Sequence, residues 1–79
     1  MKLPRQISGE ELAILLKKYG YQITRQTSSH MRLTTQQQGE HHITIPAHDY
    51  LKIGTLSGIL SDIASHFKVD KSDLIKELF

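Results

Sequence analysis

The residues of this sequence best suited to chemistry are His30 and Arg32, set two apart and preceded by Ser29. In a β-strand residues i and i+2 share a face, so an imidazole and a guanidinium would stand side by side. A histidine, with an ordinary pKa near 6.5, takes or gives a proton at neutral pH, a role worth about 10² to 10⁴ in rate. A guanidinium can hold the negative charge that develops on a reacting phosphate. Cleaving RNA is chemistry such a pair could take part in, because the attacking group, the ribose 2′-hydroxyl, is already in the substrate and what remains is proton transfer and charge stabilisation. Arg25 and Lys52 are further cations that could stabilise that charge. The alternative for a histidine of this kind is an ordinary surface residue.

The remaining histidines point less clearly. His41, His42 and His48 raise the question of a metal, since imidazole is a common zinc ligand. Neighbouring strand residues face opposite ways, so His41 and His42 cannot readily share one ion, and there is no cysteine to complete a ligand set. No metal and no cofactor is expected. His48 follows Pro46 and could satisfy backbone groups in a loop or touch RNA, while His66 near a helix end is most simply a partner of the helix dipole. Lys52 and the amides around Gly54 and Thr55 fall at a helix start, which suits a phosphate as well as plain capping. None of the five aromatic residues alternates with basic residues on a strand, which argues for contact with an RNA backbone rather than base-by-base stacking. No Ser/His/Asp order, Walker loop or paired-carboxylate signature is present.

The charge distribution favours a polyanionic partner. The chain has a formal charge of +2, but residues 1–40 carry Lys2, Arg5, Lys17, Lys18, Arg25 and Arg32 against only Glu10, Glu11 and Glu40, and the rest is slightly acidic. Between Leu12 and Gly39 there is no acidic side chain. Nucleic acid would suit that stretch, and a solvated basic face without a partner is the other reading. Seventy-nine residues fit a single domain over 1–79, because two cores would each fall near the size that needs disulfides or metals. The lack of cysteine and an apolar run no longer than Leu12 to Leu16 predict a cytoplasmic protein with neither a membrane span nor an apolar signal segment.

The elements that must position these residues follow from period and punctuation. Ser8 and Glu11 form a capping box, Ile7 and Leu12 a hydrophobic staple, and Leu12, Leu15, Leu16 and Tyr19 give a helical stripe that Gly20 stops. Lys17 and Lys18 in its last turn complement the dipole. From Tyr21 the period becomes two, predicting three short strands with turns at Ser28-Ser29 and over residues 36–40. Ile23, Met31, Leu33, Ile43 and Ile45 would line the packed face, with His41 at its rim, and His30, Arg32, His42 and Thr44 the open one. Thr55 is the expected cap of a second helix with the stripe Leu56, Ile59, Leu60, Ile63 and Phe67. A last helix opens at Asp70, with Asp73 as box partner and Val69 stapled to Leu74. Helix, three-stranded antiparallel sheet, helix and a short C-terminal helix is an α+β order of the double-stranded-RNA-binding type.

At this point the sequence resembles a known family. Pro4-Arg5, Lys18-Tyr19-Gly20-Tyr21, Arg25 and Ser29-His30-Met31-Arg32-Leu33 are similar to the first half of HicA-type toxins. His41-His42-Ile43-Thr44-Ile45-Pro46, His48 and Leu51-Lys52-Ile53-Gly54-Thr55-Leu56 with Ile59-Leu60 are similar to the second. Ser28 stands where the family frequently has glycine, and the tail after Phe67 is less alike. The resemblance implies a metal-independent endoribonuclease of a type II toxin-antitoxin pair that cuts mRNA. It also implies silencing by a HicB-type antitoxin, with DNA reached only through the toxin-antitoxin complex. The family's catalytic histidine, in its Ser-His pair, falls on His30. Arg25, Ser29, Arg32, Lys52, Lys17 and Lys18 are then the candidate RNA contacts. A non-catalytic RNA-binding module on the same face, or a domain that binds an acidic protein, are the alternatives.

Overall fold

The computed structural model describes residues 3, 4 and 6–79 of the chain; Arg5, part of the resemblance above, lies outside them, as do Met1 and Lys2. Helix α1 spans Gly9–Leu15. Its capping box is complete, with the Ser8 hydroxyl accepting from the Glu11 amide at 2.9 Å and Glu11 Oε1 accepting from the Ser8 amide at 3.0 Å. The helical stripe then tightens into a 3₁₀ turn over Leu16–Tyr19, closed by Gly20 at φ 80°. A glycine is favoured there because the left-handed conformation penalises a Cβ.

Strands β1 (Gln22–Gln26), β2 (His30–Thr35) and β3 (His41–Pro46) form an antiparallel meander in that order. Helix α2 (Ile53–Phe67) joins α1 on one sheet face, and α3 (Lys71–Leu78) closes the end of the layer with Leu74, Ile75 and Leu78. Leu12, Leu16, Met31, Leu33, Ile45, Leu56, Leu60 and Ile63 are fully buried between sheet and helices. The protein is thus α+β, in the layout of a double-stranded-RNA-binding-like domain with a third helix added.

Four local expectations are corrected. Ile23 is 48% exposed rather than part of the core, because β1 is an edge strand that the helices do not fully cover, and Tyr21 fills the core in its place. Helix α2 starts two residues before Thr55, with extended Lys52 at the cap position and no side-chain cap bond. The Leu51 amide is held by the Ile7 carbonyl at 2.8 Å, and the chain turns helical immediately afterwards. At α3 the Asp70 side chain makes no cap bond, and Val69 is 42% exposed, so the second staple is not formed.

Candidate active site and nucleic-acid interface

The β1–β2 hairpin holds His30 by its backbone. The Thr27 amide donates to the His30 carbonyl at 2.9 Å, and the Thr27 hydroxyl accepts from the His30 and Ser29 amides at 3.1 and 3.4 Å. On its other side the Ser29 carbonyl accepts from the Ala47 amide at 2.8 Å, and His30 stands opposite Pro46 in the β2–β3 ladder. Helix α1 braces this corner. The Gly9 amide donates to the His48 carbonyl at 3.1 Å, and Gly9 lies so close to Pro46 that a Cβ would sit 2.1 Å from its carbonyl oxygen.

Four fixed backbone segments thus meet at an exposed imidazole. Ser29 Oγ lies 2.9 Å from His30 Nδ1, and Nε2 has no partner among the described residues. When Nδ1–H donates to the serine hydroxyl, Nε2 carries the lone pair and faces solvent as a base.

The nearest cations come from β1 and β2. Strict alternation from Ile23 would turn Arg25 toward the helices, but a register shift between Ile23 and Arg25 brings it opposite Arg32. Both are exposed, and no carboxylate pairs with either among the described residues. Nothing in the sequence announced this bulge. Lys52 is exposed at the start of α2, after the loop that leaves β3 beside His30. Lys17 and Lys18 lie elsewhere. Their 3₁₀ turn is tied to the far end of β2, where the Thr35 hydroxyl donates to the Tyr19 carbonyl at 2.6 Å, roughly 16 Å of strand from His30. Lys18 donates to the Glu77 carbonyl at the end of α3, at 3.0 Å, rather than serving its own helix. The structure therefore gathers Arg25, Ser29, His30 and Arg32 and leaves the two lysines apart.

His42 shares the open face but is fully engaged. Its Nδ1 lies 2.7 Å from Thr34 Oγ1 and its Nε2 2.9 Å from Glu40. Hydrogen bonds from Gln36 and His42 hold the Glu40 carboxyl below its usual range. His41 turns the other way, with Nδ1 2.6 Å from the Tyr21 hydroxyl and Nε2 3.2 Å from Asp62. Burial, helped by the Asp62 charge, pushes the Tyr21 hydroxyl well above the usual tyrosine range. His66 stands in the last turn of α2, as expected of a dipole partner, and it also stacks on His41 at 4.4 Å and bonds the Gln37 carbonyl at 2.9 Å. Among the described residues no three histidine or carboxylate side chains converge as a metal site would require, and no helix is long and apolar enough to cross a membrane.

Comparison with curated proteins and with solved structures gives no match. A family model, described as the HicA toxin of bacterial toxin-antitoxin systems, matches residues 9–64. That span runs from the first turn of α1 through most of α2, and so takes in the whole sheet, the His30 hairpin and the Lys52 helix start. With well over half of its length matched, the chain belongs to the HicA toxin family.

Proposed function

We propose that this toxin is an endoribonuclease that cuts mRNA with His30 as a proton-transfer group and no metal ion. The observation that carries the reading is the hairpin corner. One imidazole nitrogen is anchored by Ser29 while the other is open, on the sheet face that carries Arg25 and Arg32, neither of which forms an ion pair among the described residues. The 2′-hydroxyl of the ribose gives its proton to His30 Nε2 and attacks the adjacent phosphorus. Arg32 and Arg25 hold the charge that grows on the non-bridging oxygens. Departure of the 5′-oxygen leaves a 2′,3′-cyclic phosphate. Lys52 and the hydroxyl of Ser29 are further contacts for the RNA backbone, and Lys17 and Lys18 could meet only a more distant part of the strand.

Membership in a toxin-antitoxin family implies an antitoxin partner. In this reading it is a HicB-type protein that covers His30 and the arginines, so that antitoxin and RNA compete, and DNA is reached only through the complex. The test is incubation of the purified toxin with RNA and EDTA. Fragments ending in cyclic phosphate are expected, and their loss when the antitoxin is added first. Salt-sensitive binding without fragments would mean a non-catalytic RNA-binding module instead.

A further inference from the structure

In-line cleavage of RNA moves two protons. One leaves the 2′-hydroxyl as the 2′-oxygen bonds to phosphorus, and one must reach the 5′-oxygen as its bond to phosphorus breaks. His30 Nε2 supplies a single open ring position, so a second group is needed. An acid with a pKa near the working pH serves best, which favours another imidazole over a lysine.

Three of the four remaining histidines are committed elsewhere. His42 has both ring nitrogens bonded, to Thr34 and Glu40. His41 likewise has both bonded, to Tyr21 and Asp62. His66 is stacked on His41, with Nε2 on the Gln37 carbonyl in the β2–β3 loop at the far end of the sheet. His48 alone is exposed with no hydrogen bond to its ring among the described residues.

It is also in the right place. His30 is opposite Pro46, and the Ala47 amide extends the pairing to the Ser29 carbonyl at 2.8 Å. His48 lies two residues past that partner, just beyond the end of β3, and continuing the alternation of β3 through it gives the open face that carries His30. Diagonal positions within an antiparallel ladder lie roughly 7–8 Å apart, and a similar separation here would leave room for a phosphate between two imidazoles. The Gly9 amide fixes the His48 backbone through its carbonyl, which leaves the ring free of any structural duty.

We infer that His48 is the general acid of the reaction, protonating the 5′-oxygen as it leaves while His30 accepts the proton of the attacking 2′-hydroxyl. The inference rests on the ribonuclease reading above. At the end of the cut His30 is protonated and His48 neutral, and exchange with water restores both.

A substrate with sulfur in place of the bridging 5′-oxygen isolates this step, because a thiolate leaves without being protonated. His48→Gln keeps the backbone carbonyl that Gly9 uses. On ordinary RNA its single-turnover rate should fall about 10²-fold or more, whereas on the 5′-sulfur substrate it should cut at close to the wild-type rate. His30→Gln should fail on both. A His48→Gln protein that cuts ordinary RNA as wild type does, or that is slowed equally on both substrates, overturns the assignment. Wild-type protein that cuts neither substrate overturns the ribonuclease reading itself.

Discussion

Arg25 and Arg32 stand directly opposite each other across β1 and β2. Two like charges at paired positions destabilise a sheet, where an ordinary cross-strand pair contributes roughly 0.2–1 kcal/mol. Thr24, drawn into the same bulge, donates its hydroxyl to the Arg32 carbonyl at 3.3 Å and lies 3.0 Å from Thr34 Oγ1, so the chain is held in the register that keeps the arginines together. An arrangement that opposes folding but concentrates positive charge beside His30 is what a phosphate-binding surface requires.

Arg25→Thr should therefore leave the melting temperature unchanged or raise it, while RNA binds more weakly and with a salt dependence shallower by about one unit of slope. Salt titrations of binding alongside thermal melts separate the two effects. An unchanged salt slope would remove Arg25 from the RNA face.

Gly9 and Gly58 offer a paired test of the packing at the His30 corner. A Cβ at Gly9 would meet the Pro46 carbonyl oxygen at 2.1 Å, and backbone cannot swing aside. Gly9→Ala should lower stability by about 1–3 kcal/mol and cut RNA more slowly, since Pro46 is the ladder partner of His30. Gly58 is an exposed position within α2 with nothing within 4 Å of an added Cβ. Gly58→Ala should raise stability by about 0.5–1 kcal/mol through helix propensity and leave cleavage alone. Thermal melts and initial cleavage rates of both variants decide the matter.

Tyr21 gives the fold an alkaline weakness. Its hydroxyl titrates above the ordinary value of 10.0 when folded, chiefly because it is buried. The stability tied to the neutral phenol is thus complete below pH 10 and is lost as pH rises from there toward the folded value. Tyr21→Phe should lower stability at neutral pH by about 0.5–1.5 kcal/mol, the worth of its hydrogen bond to His41, and should make the alkaline fall shallower. Tyr19, also raised by burial and by Glu77, would account for part of what remains. Denaturation midpoints measured between pH 7 and 11 check this.

Much of the fold was legible because its signals are local. The capping box of Ser8 and Glu11, the stop at Gly20 and the alternation along β2 and β3 each depend on neighbours a few residues away. The site was legible in part for the same reason: His30 and Arg32 belong to one strand, and their shared face follows from a period of two. What escaped depends on distant contacts. Ile23 alternates like a core residue, but no local signal says that its strand lies at the sheet edge. Arg25 reaches the open face through a bulge that leaves no mark in composition. Lys18 looks like a partner for its own helix until the end of α3 arrives beside it. Whether His42 or His48 had a free ring could be settled only by the positions of Thr34 and Glu40 around the former.

The central claim is that the His30 imidazole moves a proton during RNA cleavage, and the single-turnover rate of His30→Gln with EDTA present tests it most directly. Glutamine keeps hydrogen-bonding capacity but cannot titrate, and the exposed position leaves folding undisturbed. The account predicts RNA binding near that of wild type and a rate lower by about two orders of magnitude or more. Cleavage by His30→Gln at close to the wild-type rate would contradict it and reduce His30 to a contact residue.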